Sequence, residues 1–132
     1  MTRAAGKFTV TGGDETTIHE APGEVKLTRV AGKQQFAGSI QGAGSVDWVF
    51  CYRSDGSATF TGFQRIEGSI DGHAGSLALE STGDHAGGRS HGTWRVISGS
   101  GTGALAGISG EGSFDAPGGR EVDYELEYRI ED

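Results

Sequence analysis

Apolar and polar residues alternate one by one along much of this chain, and this period of two restricts its fold more than any other feature. The segment EVDYELEYRIE, residues 121–131, is the clearest case. Its apolar residues fall on one face and its charged residues on the other, as happens when successive side chains of a β-strand point to opposite sides. A helix would scatter the same apolar residues around its axis. The segment is therefore predicted to be a half-buried strand.

Shorter alternating runs recur along the chain, separated by turn signals. SVDWVFCYR, residues 45–53, repeats the pattern with heavier side chains. The sequences SDGS at residues 54–57 and DG at residues 71–72 are hairpin signals, and the pairs Gly12–Gly13 and Gly87–Gly88 are also expected to form turns. No window of helical length carries an apolar stripe free of glycine. The spacing predicts nine or ten short strands, and hence an all-β fold.

Glycine is the compositional anomaly, with 25 of 132 residues, against a usual share of roughly 7%. Gly38, Gly62, Gly68 and Gly92 interrupt runs that otherwise alternate. Glycines inside strands weaken a flat sheet, but they mark the bulges and bends of a closed barrel. We therefore expect a single antiparallel β-barrel domain over residues 1–132, with a β-sandwich as the alternative.

The sequence GTGALA, residues 101–106, matches the glycine fingerprint of dinucleotide-binding proteins by letter. That fingerprint must follow a strand and open a helix, because the helix N-terminus holds the pyrophosphate. The next residues include Gly107, Gly110 and Gly112 and form no amphipathic stripe, so no helix is expected there. The stretch is interpreted as a kinked or bulged barrel hairpin.

The longer stretch GSGTGALAGISGEGSF resembles the signature of a bacterial family of small uncharacterised barrel proteins. YRSDGSATFTGFQRIEGSIDGHAGSLALESTG, GTWRVISGSGTG, GKFTVTGGDE and KLTR resemble the same family, so the resemblance covers most of the chain. The barrel of that family is similar to those of plant allene oxide cyclase and the dirigent proteins. The resemblance implies an antiparallel barrel with a lumen and no known activity. Gln64 and the pair Glu80–Ser81 depart from the family, in which many relatives have Glu and a Gln-His pair.

The lumen is the expected site, because a barrel of about eight strands is either filled by its own side chains or holds one small ligand. The candidate ligand-binding residues are aromatic or polar side chains in phase with apolar ones: Trp48, Phe50, Tyr52, Gln64, Arg29, Glu20, Tyr124 and Tyr128. Aromatic residues at this period are also typical of plain core packing. Arg29 and Glu20 are also consistent with solvated strand ends, where a charge needs no partner.

Two functions are compatible with these residues. The first is a barrel that binds a small, largely apolar molecule, as a cyclase or isomerase that holds one reactive conformer in a dry cavity. The second is a non-catalytic structural or interaction barrel with a filled interior. Neither function implies a cofactor or a metal. His85 and His91 flank a predicted turn rather than forming a compact ligand set, and Cys51 has no basic neighbour in sequence to activate it.

The formal net charge of −7 comes with no basic patch, which argues against a nucleic-acid partner. No apolar run approaches the roughly 18 residues of a membrane span, and the first residues lack the apolar core of a signal peptide. A single cysteine suits a reducing compartment, so a cytoplasmic location without membrane contact is expected. Val49, Cys51 and Phe63 fall on the outer wall if the aromatic residues point inward, and this predicts a cover, either a partner subunit in a homo-oligomer or a terminal strand.

Overall fold

The computed structural model describes residues 1–131, and eight antiparallel strands in that range close into a barrel. The strands are β1 (Thr2–His19), β2 (Lys26–Gly38), β3 (Ile40–Tyr52), β4 (Ala58–Ile70), β5 (His73–Ala86), β6 (Arg89–Val96), β7 (Ile108–Ala116) and β8 (Glu121–Ile130). Each strand pairs with its neighbours in sequence, and β1 closes the barrel against β8. The fold class predicted from the alternation is confirmed.

The strands are fewer and longer than the nine or ten that the sequence predicts. The runs EVKLTR and QFAGSI contribute to one strand, β2, because the residues between them that face inward include Gly32 and the polar Gln34, which hide the alternation. Gly12 and Gly13 do not form a turn. They lie inside β1, beside a register shift between Val10 and Gly12, as expected of glycine at a bulge.

Aromatic rings fill the middle of the barrel. Five buried ring side chains pack against one another with centroid separations between 5.0 and 6.3 Å: Phe8, Phe36, Trp94, Phe114 and Tyr124. Each is at most 3% exposed. The interior of this section is therefore filled by side chains, one of the two alternatives that the sequence leaves open, because inward-facing aromatic residues from neighbouring strands meet at the axis.

Glycines on the inner face make room for these rings. A Cβ atom at Gly92 would lie 2.2 Å from the Phe114 ring, and one at Gly44 would lie 2.7 Å from the Phe36 ring. Both distances are far below van der Waals contact. The glycines inside the strands thus allow close packing across the barrel, in addition to the bends predicted for them.

One end of the barrel is closed by tyrosine hydroxyl groups. This closed end carries the connections β2–β3, β4–β5 and β6–β7, whereas the opposite, open end carries the other four connections. The Tyr124 hydroxyl donates to the Ala37 carbonyl oxygen at 2.7 Å and accepts from the Ile40 amide at 2.9 Å. The Tyr128 hydroxyl donates to the Asp71 carboxylate in the β4–β5 turn. Both tyrosines therefore fasten strand β8 to turns of other strands.

The glycine-rich β6–β7 connection completes this closure. GTGALA contains a short 3-10 helix, Gly103–Leu105, and the Leu105 side chain is 1% exposed. The Thr102 amide donates to the Ser76 carbonyl oxygen at 2.9 Å, and the Thr102 hydroxyl accepts from the Ser76 amide at 3.0 Å. The fingerprint is followed by strand β7 and not by the helix that pyrophosphate binding requires. The connection closes the barrel with an apolar side chain.

The closed end is expected to weaken at high pH. Burial and the hydrogen-bonded Asp71 carboxylate raise the pKa of Tyr128 from 10.0 to about 12. The folded state thus holds this proton more tightly than the unfolded state, so the stabilisation is complete below pH 10.0 and is lost as the pH rises toward 12. We expect the urea midpoint to fall more steeply over this range in the wild type than in Tyr128→Phe, as measured by circular dichroism. Equal slopes in the two proteins would contradict this assignment.

Phe63 and Val49 are exposed apolar side chains of the outer wall, with exposed fractions of 56% and 42%. Cys51 is partly exposed on the same face. These three residues face outward, as the alternation predicts, and self-association through them stays a prediction that light scattering can measure. Within residues 1–131, no helix has the length and apolar character needed to cross a membrane.

Candidate functional site

The β1–β2 hairpin extends past the rest of the barrel at the open end. Strand β8 pairs with β1 only as far as Thr9, and the Val10 amide donates to the Arg120 carbonyl oxygen. From Gly12 to His19, β1 pairs with β2. Residues directly opposite in an antiparallel pair share a face, so Glu15 and Thr17 lie on the inner face with their partners on β2. The hairpin therefore prolongs one side of the barrel wall.

A cleft of about 500 Å³ opens beside this hairpin. Its lining combines charged, hydroxyl and aromatic side chains from β1, β2, the connection between them, and the end of β3: Glu15, Thr17, Glu24, Lys26, Thr28, Tyr52 and Arg53. A site of this size and composition is suited to a small molecule with both apolar and polar parts.

An aromatic column on β3 leads from the core to this cleft. The Phe50 ring stacks on the Phe60 ring at 4.9 Å and on the Tyr52 ring at 5.7 Å between centroids. Phe60 is 2% exposed, whereas Phe50, Tyr52 and the neighbouring Trp48 are only partly buried. These three β3 residues face inward, as the alternation predicts. The column thus leaves aromatic surface accessible at the open end.

Glu15 is held in the cleft by two hydroxyl donors. One oxygen of its carboxylate, Oε2, accepts from the Thr28 hydroxyl at 2.7 Å and from the Tyr52 hydroxyl at 2.9 Å. Thr28 is 1% exposed, so one donor is fixed within the barrel wall. Burial and the Glu15 carboxylate raise the pKa of Tyr52 to about 12. Tyr52 therefore stays protonated at neutral pH and keeps donating to Glu15.

Two of the predicted residues lie outside the barrel interior. Arg29 is on the outer wall, where its guanidinium binds both carboxylate oxygens of Asp47 at 2.7 and 2.8 Å. Thr28 lies on the inner face of β2. Because successive side chains of a strand point to opposite faces, its neighbour Arg29 points outward. Glu20 follows the end of β1, and its side chain is 64% exposed. Both are therefore solvated side chains.

Gln64 faces inward as predicted, but it belongs to a hydrogen-bonded chain deep in the core. Its Oε1 atom accepts from the Trp94 indole at 2.7 Å, and its Nε2 atom donates to Gln34 Oε1 at 2.9 Å. Nearby, the Trp48 indole donates to the Ser81 hydroxyl at 3.1 Å. Gln34 Nε2 is the buried side-chain nitrogen in residues 1–131 that lacks a partner. These hydrogen bonds give Gln64 a role in fixing the side-chain packing of the barrel interior.

The eight predicted residues are thus divided among four parts of the molecule. Trp48, Phe50 and Tyr52 reach the open end, Gln64 lies in the core, Tyr124 and Tyr128 fasten the closed end, and Arg29 and Glu20 are solvated. Glu15 and Thr28 are site residues that the sequence did not indicate. Residues 15–17 are all polar, so no apolar alternation in the sequence marks which of them face inward.

The histidines lie in pairwise contacts. His91 Nδ1 is 2.6 Å from an Asp115 carboxylate oxygen, and His85 Nδ1 is 2.8 Å from the Ser90 hydroxyl. In the described part of the chain, no group of three or more His, Cys, Asp or Glu side chains is arranged to hold a metal ion.

Comparisons with known proteins bear on the family and the fold of this chain. The profile of a family described as a protein of unknown function, DUF3224, matches residues 4–128. A crystal structure of a DUF3224 protein of unknown function from Shewanella oneidensis MR-1 is similar to this chain, with a TM-score of 0.81 and 25% sequence identity. The match covers 100% of this chain and 99% of the Shewanella protein. No curated protein matches the chain.

Proposed function

The chain belongs to the DUF3224 family of proteins of unknown function, and from that premise we propose that it is a small-molecule-binding barrel whose ligand lies at the open end. The ligand class is a small organic molecule with a planar apolar part and a polar part. The proposed binding surface consists of the β3 aromatic column and the inner face of the β1–β2 hairpin.

The observation that carries this proposal is the partial exposure of the aromatic column. Tyr52 lines the cleft of about 500 Å³, and Phe50, which stacks on Tyr52 with planes 21° apart, is itself only partly buried. Removing such aromatic surface from water contributes much of the binding free energy of an aromatic contact. A ligand that covers the column would supply that gain, and the hydroxyl and charged groups of the cleft would orient it.

The filled core argues against a ligand in the centre of the barrel. Trp94, Phe114 and Phe8 pack ring against ring there, so the proposed ligand is confined to the open end. Cyclisation or isomerisation without a cofactor stays a prediction for this site, as does the similarity to allene oxide cyclase. The second candidate is a non-catalytic interaction barrel, and the same packed interior favours it.

Replacing Phe50 by alanine is expected to weaken ligand binding at the open end by about tenfold or more, because a buried aromatic contact contributes roughly 1.5–3 kcal/mol. The measurement is a fluorescence titration with the neutral apolar dye N-phenylnaphthylamine. Native mass spectrometry of protein purified from its own host then tests for a natural ligand.

Phe63→Ala is the matched control, because it removes the same ring from the outer wall, where Phe63 is 56% exposed. Its dye affinity should stay within twofold of wild type. Tyr52→Ala provides a second test if Phe50→Ala loses its fold in thermal unfolding. Dye binding that is unchanged in both column variants, or weakened most by Phe63→Ala, would reject the open end as the site and favour the non-catalytic barrel.

A further inference from the structure

The charged side chains of the open-end cleft differ in whether the protein supplies them with a partner of opposite charge. The cleft contains two carboxylates, Glu15 and Glu24, and two cations, Lys26 and Arg53. Glu24 has an oxygen 3.2 Å from His19 Nε2, and the Lys26 ammonium lies 3.6 Å from a Glu20 oxygen. The chain itself thus supplies a partner of potentially opposite charge for one acid and one base of the cleft.

Arg53 is also engaged by its own neighbours. Its guanidinium donates to the Ser57 hydroxyl at 3.2 Å and to the Thr59 hydroxyl. Hydrogen bonds from Ser57, together with the Arg53 charge, hold the pKa of Asp55 below its ordinary value. The positive charge of Arg53 is therefore balanced in part by a carboxylate of the β3–β4 turn, and two of its nitrogens already have acceptors.

Glu15 differs from the other three charged residues. Its hydrogen-bond partners are the hydroxyl groups of Thr28 and Tyr52, and no Lys, Arg or His nitrogen of residues 1–131 lies within 4.0 Å of its carboxylate. Two hydroxyl donors orient the carboxylate without neutralising it. A carboxylate fixed in this way can accept a charge-assisted hydrogen bond from a cationic ligand with little reorganisation.

The surroundings of Glu15 add two further attractions for a cation. The Tyr52 ring, whose hydroxyl donates to Glu15, continues the aromatic column into the cleft, and the face of an aromatic ring attracts a nearby cation. The net charge of −7 also raises the local concentration of cations around the molecule.

We propose that the cleft selects a ligand in which an ammonium or amidinium group lies beside a planar apolar group. The cationic group pairs with Glu15, and the planar group covers Tyr52 and Phe50. This assignment rests on the proposed function, because it names the ligand class of the same site. Glu15 is then the residue that determines specificity, and the aromatic column supplies binding that does not depend on charge.

Three probes that share a phenyl ring test the assignment: phenethylammonium, the neutral phenethyl alcohol, and the anionic hydrocinnamate. Each is titrated into nitrogen-labelled full-length protein, and amide shifts of cleft residues are followed by NMR. Phenethylammonium is expected to bind about two- to fivefold more tightly than the alcohol, because Glu15 is exposed to solvent and an exposed charge pair is weakened by water. In Glu15→Gln this ratio should fall to near one, while the affinity for the alcohol stays within twofold.

Glu24→Gln is the matched control, because it removes a carboxylate from the same cleft that already has His19 beside it. It should retain most of the preference for the cation. A measurement on the wild type covers the case in which Glu15→Gln fails to fold: added salt should weaken binding of the cation and leave the alcohol unchanged.

The outcomes separate the two proposals. If the alcohol binds as tightly as phenethylammonium, or hydrocinnamate binds most tightly, the assignment of a cationic ligand is overturned while the open-end site stands. The assignment of a cationic ligand is also overturned if Glu15→Gln keeps the full preference for phenethylammonium over the alcohol. If none of the three probes shifts cleft resonances at millimolar concentration, both the site and its ligand class are rejected.

Discussion

Trp94→Ala is expected to lower the free energy of unfolding by about 4–8 kcal/mol, which combines the loss of a buried indole with the desolvated acceptor it leaves behind. The Trp94 ring is 2% exposed and contacts four other buried rings of the core. Its indole nitrogen is the donor to Gln64 Oε1. Since small domains are stable by roughly 5–15 kcal/mol, much of this variant should be unfolded. Urea unfolding followed by circular dichroism measures the change.

Trp94→Phe separates packing from hydrogen bonding. It keeps a ring in the core but leaves Gln64 Oε1 without its donor, so a loss of about 1–3 kcal/mol is expected. Trp48→Phe is the control at the open end, where the indole donates to Ser81 and the ring is only partly buried. It should be the mildest of the three variants. Stability of Trp94→Ala within 1 kcal/mol of wild type, on the scale of ordinary surface changes, would contradict the packed core.

Gly62→Ala is expected to destabilise the barrel by about 1–3 kcal/mol, the range of an overpacked site. A Cβ atom at Gly62 would lie 1.9 Å from the Asp47 carbonyl oxygen and 2.8 Å from Trp48 Cα. Both are backbone atoms, so β3 and β4 must move apart locally to admit one methyl group. Chemical denaturation of the variant and the wild type gives the difference.

Gly12→Ala is the matched control for that substitution. Gly12 is also in a strand, but a Cβ atom there meets nothing within 4 Å, and its φ is not in the left-handed region. Alanine restricts the unfolded chain without strain in the native one, so a gain of about 0.4–1 kcal/mol is expected. Equal losses at the two positions would mean that close strand approach does not explain the glycines of this barrel.

The closed barrel could be predicted because its strongest elements are local. Strand β8 buries every second residue from Val122 to Tyr128, and the turns at Asp55–Gly56 and Asp71–Gly72 lie where their sequences place them. The number of strands could not be predicted in the same way. Gly32 and Gln34 occupy inner positions of β2, so the apolar alternation fades where the strand continues.

The candidate site could be predicted only on its aromatic side. The inward direction of Trp48, Phe50 and Tyr52 follows from their spacing, but Glu15 and Thr28 lie on a wall whose inner face is polar. No apolar pattern marks the phase of such a wall, so the sequence leaves Arg29 open between the interior and a solvated strand end, and the structure pairs it with Asp47 outside. Which polar side chains meet across β1 and β2 depends on the register shift beside Gly12, which the sequence does not specify.

The difference between the two ends of the barrel has a consequence for how such a chain can evolve. The residues that secure the fold, including Trp94, Tyr124 and Leu105, lie in the core or at the closed end. The residues of the proposed site lie on the protruding hairpin and its neighbouring strand ends. Substitutions of exposed hairpin residues therefore leave the packing that stabilises the barrel intact, whereas the aromatic column also packs against the core. Selection can change what the molecule recognises without first compensating for a loss of stability.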